Sequence, residues 1–210
     1  MYDLEEQEQI DAIKGWWQKN RLALLALIAA GVLGYGGMTG YKSWKANRAD
    51  QAAAQYQTFQ LSLAAGDPIK VHAAAQVIEA ASPSSPYAAR AAMAAGQALA
   101  GASKTAESRV EYQWVIDHSS EVQLQSIARI RLAGVLADAQ NYADALTTLG
   151  TGVDPAFAAL AGDRRGDILL AQGKLVDARA AYRSALDGAA QNNPLRQVLQ
   201  TKVDALGAEK

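Results

Sequence analysis

The chain has 210 residues, half of them hydrophobic but only 7% aromatic, with a formal net charge of −1 and no cysteine. Without a basic excess it is not built to bind nucleic acid, which needs clustered Lys and Arg. Without cysteine it has no disulfide, thiol nucleophile or Cys-based zinc site, although either redox compartment suits it.

Residues 1–21 form a polar tail, and residues 22–41 read LALLALIAAGVLGYGGMTGY, a run without a charge. At ~1.5 Å per residue a twenty-residue helix spans ~30 Å, the hydrocarbon thickness of a bilayer. Trp16, Trp17, Lys19 and Arg21 precede the run, and Tyr41, Lys42, Trp44 and Lys45 follow it, as interfacial anchors should. The acidic start and the missing small-residue cleavage site argue against a cleaved signal. Lys14, Lys19 and Arg21 balance Lys42, Lys45 and Arg48, so the charge rule leaves orientation open. Ala26, Ala30 and Gly34, with Gly36 and Gly40, place small residues at four-residue spacing where a second membrane helix could pack closely.

After a juxtamembrane segment at 42–48, residues 49–206 carry only helical patterns, with a short tail at 207–210. Pro68, Pro86, Pro155 and Pro194 each follow Asp, Ser or Asn, predicting helix starts there; Pro83 also follows a serine. No β-branched alternation predicts strands. Gly166, Gly173, Ala178, Tyr182 and Ala185 match the tetratricopeptide pattern of a small packing residue, a turn glycine and a second-helix Ala–large–Ala series. Gly96, Leu99, Ser108, Tyr112 and Val115 repeat it, as do Ala133, Leu136, Ala145 and Leu149. In the first copy the small second-helix position is placed at Ala74, which makes the steps to Ser108, Ala145 and Ala178 34, 37 and 33 residues. The tetratricopeptide period is ~34. The predicted fold is all-α: one transmembrane helix and a right-handed superhelix of four helix hairpins, closed by a capping helix from Pro194 to Leu206.

In this register the first helices line a concave groove. The predicted lining is Tyr56, Phe59 and Leu63, then Arg90, Met93 and Gln97, then Ile127, Ile130 and Gly134, then Leu160, Asp163 and Asp167. The Lys and Asn of a carboxylate clamp are absent, and a mainly apolar groove predicts an apolar helix or unfolded segment as partner. Trp114 falls outside the packing positions of its helix and is a candidate exposed contact.

The chain resembles the bacterial inner-membrane YfgM-like family, ancillary subunits of the SecYEG translocon. The resemblance runs nearly end to end. It is sharpest in EEQEQIDAIKGWWQKN, Glu5 to Asn20, and continues in YQWVIDHS, Tyr112 to Ser119. It implies a cytoplasmic N-terminus, a periplasmic repeat domain, and as partners the translocon and a membrane-anchored periplasmic prolyl isomerase chaperone. The departure is compositional, since this repeat domain is unusually Ala-rich.

No catalytic, cofactor or metal site is expected. His72 and His118 stand apart without a second ligand at metal spacing. The glycines at 34, 36 and 37 fall inside the apolar run, not in a phosphate loop. Asp163 and Asp167 share a helix face that reads as solvated. The reading is a membrane-tethered, non-catalytic adaptor at the secretion machinery. Its alternatives are an envelope scaffold of another assembly and, from another class, an enzyme whose site the sequence hides.

Overall fold

A computed structural model describes the backbone of residues 2–207 and the side chains of residues 9–207. The last three residues of the tail expected at 207–210 lie outside the described residues. Contacts divide the chain into two units, Met1–Arg48 and Ala49–Lys210.

Helix α1 is assigned as Tyr2–Ala64, so the expected polar tail from Tyr2 onward, the membrane run and the juxtamembrane segment are all helical. In the first unit Leu22, Leu25, Leu27, Ile28, Val32 and Leu33 are all exposed. They lie all round the helix, and a helix apolar on every side needs an apolar surround. It is the one helix among the described residues long and apolar enough to cross a membrane. Its one threonine hydroxyl in the run is satisfied internally, since Thr39 Oγ1 donates to the Tyr35 and Gly36 carbonyls at 2.9 and 3.0 Å.

The second unit is helical throughout its described residues apart from turns. After the end of α1 come α2 (Pro68–Ala81), α3 (Pro86–Gly101), α4 (Thr105–His118), α5 (Val122–Asp138) and α6 (Tyr142–Gly150). A 3-10 turn at Pro155–Phe157 leads into α7 (Ala158–Ala171), α8 (Leu175–Gly188) and α9 (Leu195–Ala205). The prolines work through their caps. Asp67 accepts from the Ile69 and Lys70 amides, Ser85 from Tyr87, Asp154 from Ala156 and Asn193 from Leu195. The Lys70 and Ile69 amides and the Lys70 ammonium outweigh desolvation and hold the Asp67 carboxyl below its ordinary value. Pro83 lies in the turn between α2 and α3.

Pairs α3/α4, α5/α6 and α7/α8 form hairpins, and α3 touches α5, α5 touches α7 and α7 touches α9. At the hairpin turns Gly66, Ser103, Gln140 and Gly173 all have φ between 59° and 75°. The amides of Lys104, Asn141 and Lys174 then reach back to the carbonyls of Leu99, Leu136 and Leu169 at 2.8–3.0 Å, closing three successive helices in the same way. The turn residues fix the true register. From 66 to 103, 140 and 173 the steps are 37, 37 and 33.

That register corrects the first copy. The position equivalent to Ser108, Ala145 and Ala178 is Val71, not Ala74; Val71 is buried and Ala74 only half-buried. On the first helix, the position equivalent to Gly96, Ala133 and Gly166 is Phe59. In the later hairpins a small residue on the first helix faces a large one on the second. A Cβ on Gly96 would meet Tyr112 Cε1 at 2.8 Å, and one on Gly166 would meet the Tyr182 ring at Cζ at 2.7 Å. In the first hairpin the sizes are exchanged, with Phe59 buried among Val71, Ala75 and Ile78. The volume is conserved and its owner changes.

Candidate interaction surface

The corrected register decides which predicted groove residues are available. Phe59 is wholly buried at the hairpin contact, at the position of Gly96, Ala133 and Gly166 and not on the groove line. Tyr56 is half-buried against the same cluster, stacked on Phe59 and 5.2 Å from the Tyr87 ring. Met93 and Ile130 are core residues as well, exposed by only 7% and 4%. Both belong to the core cluster that α3, α4, α5, α6 and α7 share. Leu63, Arg90, Gln97 and Leu160 are exposed, and Ile127 and Gly134 half-buried.

The remaining face is mixed, with a ladder of polar contacts beside Leu63, Ile127 and Leu160, which corrects the expectation of a mainly apolar groove. Arg131 of α5 donates from Nη1 to Gln97 Oε1 of α3 at 2.8 Å. Arg164 of α7 lies over Gly134 of α5, its Cζ 3.5 Å from where a Cβ would stand. Lys202 of α9 donates to Asp163 and Asp167 of α7, both at 2.6 Å. In each step a long cation from one first-position helix reaches back onto the preceding one. Burial alone would lower the Lys202 ammonium, but the two aspartates outweigh it and hold it above its ordinary value. Tyr182 Oη also donates to Asp167 at 2.7 Å; burial and that bond push the phenol up. Asp163 and Asp167 therefore fasten the capping helix, with Leu199 and Val203 of α9 buried against Ala178, Tyr182 and Ala185. They are not free groove charges. At the other end Arg90 grips Glu121, with Nη1 to Oε1 at 3.1 Å and Nη2 to Oε2 at 3.2 Å.

Trp114 is half-buried and packs on both neighbouring core clusters, correcting its reading as an exposed contact. Its ring stacks on His118 at 4.5 Å, while His118 Nδ1 lies 3.0 Å from the Trp114 carbonyl. One edge opens on a cleft of about 600 Å³ bordered by Val110, Leu132, Leu136 and Asp144. In the first unit Ala26, Ala30, Gly34, Gly36 and Gly40 are all exposed, and nothing lies within 4 Å of a Cβ built at the three glycines.

One cluster carries no signal in the sequence. Glu111 of α4 is 1% exposed, and its Oε1 lies 2.6 Å from His72 Nδ1 of α2. Burial, the neighbouring Glu79 charge and a hydrogen bond with Glu79 push the Glu111 carboxyl up to about 9. Glu79 is raised too, by burial, against the opposing pull of its bond to Glu111 and of His72 and His118. The raised carboxyl favours its protonated form at neutral pH, and its close approach to His72 joins α2 to α4.

The family model of the tetratricopeptide repeat-like domain matches residues 14–208. A protein of Neisseria gonorrhoeae named ancillary SecYEG translocon subunit is 30% identical over 97% of this chain and 98% of its own length. The chain belongs to the ancillary SecYEG translocon subunit family. Members of the same name from Haemophilus influenzae and Escherichia coli are 28% and 27% identical, over 90% and 96% of this chain and 93% and 96% of theirs. The family likeness takes in both the apolar helix and the repeats.

Proposed function

We propose that the protein is a membrane-tethered adaptor that associates with the SecYEG translocon and docks other proteins on its repeat array. The observation that carries the reading is one lipid-ready helix and one repeat domain on a single chain, matched over nearly the full length by relatives named as translocon subunits. The anchor is in the inner membrane, with the N-terminus cytoplasmic and the repeats periplasmic. There the membrane-anchored prolyl isomerase chaperone is a partner in handling secreted or membrane proteins. Tethering acts by raising the local concentration of the docking face beside emerging chains. Helix Leu22–Tyr41 holds the translocon through its small-residue faces, and the repeats hold soluble partners.

Photo-crosslinkers at Gly36 and at Gln97 in native membranes test this directly. The first is expected to capture translocon subunits and the second periplasmic chaperones or clients. Capture of a different membrane assembly at both positions would replace this reading with an envelope scaffold.

A further inference from the structure

The seam between the first two hairpins holds a cluster that no later seam repeats among the described residues. Helices α2 and α4 each pack on α3 but bring no Cα atoms within 8 Å of each other, so they meet through side chains. Three of those side chains titrate. Glu111 of α4 has its Oε1 2.6 Å from His72 Nδ1 of α2, and Glu79, two turns along α2, reaches Glu111 with its own carboxyl. Glu79 Oε1 and Glu111 Oε2 are both sealed from solvent, and neither meets a donor among the described residues. Two carboxyl oxygens left as acceptors in this way are satisfied by one proton on either of them.

The repeat register shows how local the cluster is. One repeat on, 37 residues along, Arg109 and Thr148 take the places of His72 and Glu111, and there the cleft of about 600 Å³ stays open. In the next seam the places fall to Leu146 and Ala181. The charges around the first seam are few. His118, stacked on Trp114, adds a second imidazole from α4, while Glu107, Arg109 and Asp117 of that helix are exposed. Helix α3 carries one charge, Arg90, which Glu121 takes. On α5, Arg131 is bonded to Gln97, Arg129 lies against Gly152, and Asp138 is exposed. The end of α1 brings Asp50, also exposed, and Lys70 of α2 pairs with Asp67. The two carboxyls therefore have no lysine or arginine to share. With one proton between them they form a hydrogen-bonded pair across the seam. Without it two anions face each other where burial already penalises charge, the same two causes that raise Glu111 to about 9.

We propose that His72, Glu79 and Glu111 form a pH-sensitive clasp, which holds the first hairpin on the second and lets it open as the pH rises. The device does not depend on what the array binds. Opening uncovers apolar surface, because Val71, Ala75 and Ile78 of α2 are buried in one cluster with Ala88, Ala91 and Ala95 of α3. The proton count sets the sign. The closed seam holds a proton that the open one releases to water, so closure weakens with rising pH, by about tenfold per unit at the limit of one proton.

Hydrogen exchange of the full chain in phosphatidylcholine nanodiscs at pH 6, 7 and 8, corrected for the intrinsic pH dependence of amide exchange, reads the opening directly. Protection of α2 should fall about tenfold or more from pH 6 to pH 8 and lie below that of α5 throughout. Glu111→Gln should flatten the fall. Glu79→Gln, which keeps Glu111 but removes its like-charged neighbour, should shrink it, and decides the matter if Glu111→Gln does not fold. Glu107→Gln, exposed one turn along α4, should leave the fall intact. Equal protection of α2 and α5 at every pH means that the seam opens only with the whole domain, and overturns the clasp. So does α2 protection that holds or rises with pH, or a fall that survives Glu111→Gln and Glu79→Gln unchanged. A fall lost in Glu107→Gln as well places the titration elsewhere and overturns it too.

Discussion

Replacing Glu111 by Gln should make the repeat domain more stable at pH 8 and flatten its dependence on pH. In the folded chain Glu111 is 1% exposed, with the Glu79 carboxyl beside it and His72 Nδ1 at 2.6 Å. Burial first, then the Glu79 charge and bond, raise it from 4.5 to about 9. The unfolded chain releases this proton near 4.5, so between those two values the folded state holds one proton more. Stability must then fall as pH rises, with a limiting slope of ~1.4 kcal/mol per unit for one proton. From pH 6 to pH 8 the loss is roughly 2–3 kcal/mol. Glutamine keeps the shape and a donor of the protonated acid but has no proton to lose. The variant should match the parent near pH 5 and exceed it at pH 8, with Glu79 supplying whatever slope remains. Urea unfolding of the full chain in mild detergent, followed by circular dichroism from pH 5 to 8.5, measures both slopes. A parent slope of zero or of opposite sign, or an unchanged slope in the variant, would refute the buried-proton account.

Gln140→Gly should raise the melting temperature, because glutamine at φ 60° carries a left-handed cost of about 1 kcal/mol that glycine lacks. Gly166→Leu should destabilise by ~1–3 kcal/mol or more, since even a Cβ there runs into the Tyr182 ring; urea midpoints compared with the parent decide it. Lys202→Met leaves Asp163 and Asp167 without their shared cation, and hydrogen exchange should show α9 opening well before α5. For topology, the cysteine-free chain makes Leu4→Cys and Ala205→Cys clean reporters. An impermeant thiol reagent should label only the second in cells with a permeabilised outer membrane, and the reverse pattern would invert the proposed orientation.

The membrane helix and the three later hairpins were legible because their signals are local. A twenty-residue uncharged run, Asx or Ser caps before prolines, and Gly–Tyr pairs sixteen residues apart at 96/112 and 166/182 need no knowledge of the fold. The first hairpin was misaligned by three residues for a physical reason. Its large residue, Phe59, stands on the helix where the others have Gly or Ala, and its small one, Ala75, stands where they have Tyr or Leu. A search for the small position lands in the Ala73–Ala75 run and finds Ala74. The turn at Gly66, in phase with Ser103, Gln140 and Gly173, is the signal that would have corrected it. The polar contacts were out of reach for another reason. Gln97 and Arg131 are 34 residues apart, Asp163 and Lys202 39, and no local pattern pairs them.

Those long-range pairs also decide what kind of face the array offers. Had Asp163 and Asp167 stood free, the C-terminal end of the concave side would be acidic and would invite basic partners. Lys202 takes both, Leu199 seals the core beneath, and that end is closed by the chain's own last helix. Arg90 is likewise taken up by Glu121. In the middle of the array Arg131 meets the neutral Gln97 amide and the Tyr112 hydroxyl, and Arg164 lies 3.9 Å from Asp167 on its own helix. Most charges on this side are thus spent on the fold's own pairs. What the face can offer a partner depends on position rather than composition, because a charged side chain acts outward only where the structure has not already given it a counter-charge.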